Sequence, residues 1–261
     1  GVAGGLAQAI FRNPLAEPTL IGLSSGATLG TIAVITSGLA AYGSAINAFA
    51  AIFCALAAAS LVHFFSPQKG NGFLLTGLAF SAVLTAIAGL LISISPKPGI
   101  QSLSFWNFGS LTLLNNSTVK MVIPFIVVGL ILAFVISPSL DAYSLGESTA
   151  HFMGLNPKRL RYLAILAMAL LVGASVSAVG VIAFLGLLVP HIVRLLIGPS
   201  HRWMLCMSAI VGAALLMFAD LLARTVAAPH EIPLGLLTSL LGAPVLIILI
   251  RLQRAQWVDH D

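Results

Sequence analysis

Apolar runs recur along this chain, separated by short polar breaks, and most are long enough to cross a lipid bilayer. They occupy residues 1–11, 20–37, 45–65, 73–94, 119–136, 162–182, 185–197, 204–223 and 234–250. A spanning helix needs about 20 mostly apolar residues, because each residue rises only ~1.5 Å through a hydrocarbon core ~30 Å thick. The pattern predicts an all-α, polytopic transmembrane helix bundle with about nine spans. Residues 1–261 are expected to form a single membrane domain with no separate soluble unit. The opening run is short, and is expected to be the tail of a span that begins upstream of Gly1.

The longest polar break, SPSLDAYSLGESTAHFMGLNPKRLR from Ser137 onward, predicts two short helices. Gly154 suits the left-handed stop of the first, and Asn156 followed by Pro157 suits the start of the second. Glu147 falls in the first turn of the first helix, while Lys158, Arg159 and Arg161 decorate the second. The pattern leaves two readings open here, an ordinary interfacial loop or a surface on which a soluble partner docks.

Composition decides the solvent. Of the residues, 59% are hydrophobic and 7% charged, with a mean hydropathy of +1.08. Soluble domains carry roughly 25% charged residues, so most of this surface must face lipid. The net charge of +5 does not point to nucleic acid, because the basic residues are scattered singly between apolar runs. It reports orientation instead. Alternate threading puts Arg12, Lys69, Lys158, Arg159, Arg161, Arg194, Arg202, Arg251 and Arg254 on one side and Lys97, Lys120 and Arg224 on the other, nine against three. The richer side is expected to be cytoplasmic, and the C-terminus lies there. Gly22, Gly26 and Gly30 share a helix face, as do Gly1 and Gly5, a spacing that lets backbones approach closely in lipid.

Candidate chemistry is sparse. Among the acids, only Asp220 is expected to be embedded, four residues from Arg224 and so within reach of an ion pair. His191 follows Pro190, which is expected to bend or break its helix, and a satisfied structural histidine is expected there. Cys54 and Cys206 are expected to be small core residues, and no histidine pair has metal-ligand spacing. None of the lysines Lys69, Lys97, Lys120 and Lys158 follows glycine, so the chain has no P-loop for ATP. An ion-coupled secondary transporter usually places carboxylates at the midplane, a signal that is weak here. An intramembrane enzyme needs convergent catalytic groups, which are lacking. The energy source is therefore expected on a partner.

Four stretches, in order, resemble the permease family of ABC importers for iron chelates and vitamin B12. The first is Arg12-Asn13-Pro14-Leu15-Ala16-Glu17-Pro18 with Gly22 and Gly26. The second is Leu145-Gly146-Glu147 with His151, Gly154 and Leu155, which resembles the family's cytoplasmic coupling segment. The third joins Gly180 to Phe184 with Pro190, His191 and Arg194, resembling its broken-helix motif. The fourth joins Asp220 and Arg224 with Glu231-Ile232-Pro233-Leu234-Gly235 and Pro244. Phenylalanine, common in the family after the last motif, is replaced by Val245 or Leu246.

The resemblance implies about ten spans in a complete subunit and a homodimer around a central pathway. It implies two cytoplasmic ATPase subunits that bind ATP and Mg, no cofactor on this chain, and an extracytoplasmic substrate-binding protein. It places the chain in the bacterial inner membrane and assigns Glu147 to Leu155, with Asn156, Pro157 and Arg161, to ATPase coupling. Arg224 is assigned to docking of the binding protein. The cargo that the resemblance implies is a ferric siderophore or haem, with vitamin B12 as the alternative.

Overall fold

The computed structural model describes residues 1–42, 44–66, 72–95, 108–112, 114–226 and 232–258, with no side-chain description at 41, 42, 44, 74 and 248–258. Lys69, Lys97, His230, Glu231, Asp259, His260 and Asp261 lie outside the described residues, as do the side chains of Arg251 and Arg254.

Every regular element among the described residues is helical. We number them α1 (Val2–Phe11), α2 (Leu23–Ser37), α3 (Ser44–Phe65), α4 (Gly72–Ile94), α5 (Asn116–Ser144), α6 (Glu147–Phe152), α7 (Pro157–Val179), α8 (Leu185–Ile197), α9 (His201–Thr225) and α10 (Leu234–Val258). Single 3₁₀ turns occur at Pro18–Ile21 and Leu39–Tyr42. Helices α3, α4, α5, α7 and α9 are each long and apolar enough to cross a membrane, while α1, α2, α8 and the described part of α10 are shorter apolar helices. Each predicted apolar run thus became one helix.

Two boundaries differ from the sequence reading. α5 continues past the expected break at Ser137 to Ser144, absorbing Pro138. The second of the two short helices does not exist as a separate element; Pro157 opens the long α7. The physical reason is continuity of the inward face. Ala133, Ile136, Leu140 and Tyr143 of α5 recur at three- and four-residue spacing and all are buried.

Large apolar side chains face outward as well as inward. Along α4, Leu75, Leu78, Val83, Ile87, Leu90 and Ile94 all point outward, as a lipid-facing helix requires. The interior mixes large side chains such as Leu6, Leu23, Met168 and Leu205 with small residues that let helices approach closely. A Cβ added at Gly26 would lie 2.6 Å from the Cys54 carbonyl oxygen of α3, and one at Gly30 would strike the Ala50 carbonyl. Gly1 and Gly5 likewise press α1 on α9, near the Ser208 carbonyl and Leu205. Gly22 is different: at φ +84° it starts α2 in the left-handed region, where glycine is favoured. The cysteines are not core residues, since Cys54 and Cys206 are both only half-buried.

Between α7 and α8 the helix breaks at Gly180–Phe184. Pro190 does not break α8, which runs through it.

Candidate functional site

Three polar clusters sit where helix ends meet. The first gathers α1, α5, α6 and α7 at one end of the bundle. The sequence of α6 follows its expectation: Glu147 opens it after Gly146, and Met153 closes it before Gly154 at φ +80°. The Asn156 side chain then accepts the backbone N–H of Arg159 at 3.1 Å, capping α7, with Pro157 in its first turn. Leu155 is half-buried and packs on the main apolar core.

Tyr143 ties this cluster together, and the sequence reading did not single it out. Its ring is 1% exposed. An Arg161 guanidinium N–H donates to the Tyr143 hydroxyl at 3.2 Å. The Arg12 guanidinium carbon lies 5.7 Å from the Tyr143 ring centroid, in cation–π range. Arg161 also approaches Glu147 at 4.0 Å, a loose ion pair at a partly exposed site. So α6 is held to the membrane helices by Ala150, which is buried in the main core, and by Glu147, which approaches the arginine that Tyr143 anchors. The outer side of α6 is bare: Phe152 is 90% exposed, and Leu145, His151 and Met153 are exposed beside it.

At the same end, Asp141 of α5 meets His201 of α9. Its Oδ1 accepts the His201 backbone N–H at 2.8 Å and lies 2.7 Å from Nδ1. The sequence reading assigned neither residue a partner. The only available signal was the unpaired carboxylate three residues beyond Pro138. Arg194 of α8 reaches the Met204 sulfur of α9 at 3.4 Å.

The second cluster lies at the helix break. The segment Arg12–Gly22 folds back against α8, and the Glu17 carboxylate accepts the backbone N–H of Phe184 at 3.1 Å. Phe184 is held at φ +66°, an uncommon conformation for a bulky residue. Glu17 thus supplies a partner to backbone that a helix would have satisfied internally, as non-helical chain inside a membrane protein needs. Pro18 packs near Gly186, whose carbonyl leaves no room for a Cβ on Gly4. Asn13 Oδ1 accepts the Leu15 N–H at 2.9 Å, shaping the turn beside Pro14. Asp220 is therefore not the only embedded acid, as the sequence reading expected. Among the described residues Glu17 is another, and its position in a polar motif concealed it. His191 is 4% exposed as expected, but its Nε2 has no partner among the described residues, so it is buried without being satisfied there.

The third cluster lies at the opposite end. Arg224 Nε donates to Asp220 Oδ2 at 2.8 Å, forming the predicted pair within α9. Ile232 bonds back to the Ala223 carbonyl, and Leu234 and Gly235 to the carbonyls of Gly109 and Phe108. These contacts seat Pro233 and the start of α10, whose interior carries Pro244. Among the described residues, no group of three or more His, Cys, Asp and Glu gathers to hold a metal.

The chain is similar to known proteins along nearly its whole length. The FecCD transport family matches residues 1–252. The hemin transport system permease protein HmuU of Yersinia pestis is 40% identical, over 98% of this chain and 78% of that protein. The ferric enterobactin transport system permease protein FepD of Escherichia coli is 38% identical, over 96% of this chain and 76% of its own length. A solved metal-chelate type ABC transporter in an inward-facing conformation superposes with a TM-score of 0.86 at 30% identity, covering 96% of this chain and 81% of that one. This chain belongs to the FecCD transport family.

Proposed function

We propose that this family member is the membrane-spanning subunit of a binding-protein-dependent ABC importer that carries an iron chelate inward, ferric siderophore before haem. Vitamin B12 is the alternative cargo. The chain is a transport subunit of an ABC permease family, and ATP hydrolysis belongs to a separate chain. In this reading two copies form the pathway, and two cytoplasmic ATPase subunits bind ATP and Mg beneath them. A substrate-binding protein delivers the chelate at the outer face. The whole of residues 1–261 acts as one multi-pass permease domain in the bacterial inner membrane, with its C-terminus cytoplasmic.

The observation that carries this reading is α6. An apolar residue as exposed as Phe152, at the end of the bundle where Arg12, Lys158, Arg159, Arg161 and Arg202 gather, is stabilised by a partner rather than by water or lipid. In this reading Leu145 to Leu155 seat in a groove of the ATPase. Asn156, Pro157 and Arg161 then pass its movement into α7. Coupling needs a surface that differs between two states, and a short helix seated on the core through Ala150, with its outer side bare, supplies one. Arg224, at the opposite end, receives acidic residues of the binding protein.

The test is purification of the tagged chain in mild detergent, with mass spectrometry of what accompanies it. A Walker-motif ATPase that is retained by the native chain and lost from Phe152→Asp supports the reading. A chain that comes down alone, while carrying out ion-gradient-driven uptake in vesicles, rejects it in favour of a secondary transporter.

A further inference from the structure

α4 is the least buried of the five long apolar helices. Among the described residues it packs along α2, α3 and the Pro18–Ile21 turn, and not along α5, α6 or α7. Its Ser81 and Thr85, with Ser24 and Thr28 of α2 and Ser239 of α10, line a cavity of about 590 Å³. A shift of α4 therefore changes the width of that cavity without opening a packed core.

Residues 11–20 hold the first half of this helix at three points. The rings of Phe11 and Phe73 stack at 4.4 Å, 26° from parallel. The Ser81 hydroxyl donates to the Thr19 carbonyl at 3.2 Å. Gly77 lies between these two, so close to the Leu20 carbonyl that a Cβ has no room. Phe73, Gly77 and Ser81 are spaced four apart, so a single face of α4 rests on this stretch.

The same stretch is tied to the end of the bundle where α6 sits. Arg12, next to Phe11, lies over the Tyr143 ring, and Tyr143 accepts from Arg161, the residue that Glu147 of α6 approaches. Between its two ends the chain is stiff. Pro14 and Pro18 fix their own backbone. The Ala16 N–H donates to the Asn13 carbonyl and the Leu20 N–H to the Glu17 carbonyl, both at 3.0 Å. The Glu17 carboxylate, on the Phe184 N–H, anchors the middle. A stiff piece held at both ends passes a displacement on through its packed contacts.

We infer that residues 11–20 form a lever that carries movement at the α6 end into α4, with Phe11 and Arg12 as positioning residues for transport. This rests on the importer reading above. Arg12 is the input, through Tyr143, and the Phe11–Phe73 stack is the output. Loss of either lets ATP hydrolysis run without moving α4.

The experiment uses the complete complex with its ATPase and binding protein in proteoliposomes. Uptake is followed with iron-55 as ferric citrate, a ferric trihydroxamate, a ferric catecholate and haem, and with cobalt-57 cobalamin, and is divided by the ATP hydrolysed. Cys54 and Cys206, the two cysteines of the chain, are first replaced by alanine. In that chain Phe11→Cys/Phe73→Cys removes the stack. It is expected to lower uptake per ATP about fivefold, the worth of one aromatic pair, with assembly unchanged. Bridging the two thiols with a short bifunctional reagent is expected to restore it, which a lost packing contact by itself would not do. Arg12→Gln is expected to give a similar loss that the bridge does not restore, because that break lies upstream. Wild-type uptake per ATP in either unbridged variant overturns the lever. So does a bridge that leaves the cysteine pair low, abolishes its uptake, or rescues Arg12→Gln. Should the cysteine pair fail to assemble, Ser81→Ala decides: a fall of about fivefold supports the lever and wild-type uptake overturns it. A wild-type complex that hydrolyses ATP and imports none of the probes overturns the importer reading itself, and this inference with it.

Discussion

A single oxygen, Asp141 Oδ1, accepts the backbone N–H of His201 at 2.8 Å and lies 2.7 Å from that residue's Nδ1. The carboxylate therefore fills an open donor position at the N-terminus of α9 and also orients the imidazole, with Nδ1 as donor. It joins the end of α5 to the start of α9, two helices 60 residues apart in sequence.

Asp141→Ala removes both contacts, whereas Asp141→Asn keeps an acceptor. The carboxylate is partly exposed, so its worth is discounted to about 1 kcal/mol. Thermal unfolding of the detergent-solubilised complex should show Ala well below wild type and Asn between them. Identical midpoints for all three would mean that water serves α9 equally well.

Tyr143→Phe keeps the buried ring and removes only its hydroxyl. Arg161 then loses a partner while its Nε is already buried and unpartnered among the described residues. The expected cost is about 1–2 kcal/mol in stability. The more telling expectation is a fall in transport per ATP hydrolysed, since the arginine that Glu147 of α6 approaches loses its anchor. Coupling equal to wild type would show that Arg161 and Tyr143 only hold the fold.

Gly26→Ala should prevent accumulation of the chain in the membrane. The new methyl would sit 2.6 Å from the Cys54 carbonyl oxygen and 2.8 Å from the Ala58 side chain. Backbone must shift to relieve it, at a cost of about 1–3 kcal/mol or more. Gly89→Ala meets nothing within 4 Å and should accumulate normally. Quantitative blotting of membrane fractions checks the contrast, and equal levels would refute the close approach of α2 and α3.

Arg224→Glu places two acids four residues apart, with Asp220 as neighbour, at the end opposite α6. Transport stimulated by the binding protein should fall by tenfold or thereabouts, as a buried or rim charge pair turns repulsive. Assembly with the ATPase should persist. Unchanged stimulation would reject the docking role, as would a complex that no longer assembles.

Much of the fold could be read from residues alone because lipid imposes simple rules. Apolar length marked each helix, and Asn156 with Pro157 marked the start of α7 through local backbone chemistry. The error at Ser137 arose because polar residues were read as a break. Leu140 and Tyr143 still face the core there, and a helix follows its buried stripe rather than its average hydropathy. Glu17 was passed over for the opposite reason. A carboxylate in a turn-rich motif looks solvent-exposed until the segment folds back on the helix break.

The sequence by itself determined the solvent, the number of apolar helices, the bias of basic residues toward one end and the family resemblance. Each depends on composition or on neighbours within a few residues, which is the range over which periodicity and capping act. Only the tertiary structure decided which distant groups meet. Glu17 with Phe184, Asp141 with His201, Tyr143 between Arg12 and Arg161, and the hydroxyls of α2, α4 and α10 around one cavity all depend on helix packing. In lipid that packing owes much to close contact of small residues and to hydrogen bonds between distant groups. Its partners therefore leave little periodic trace along the chain.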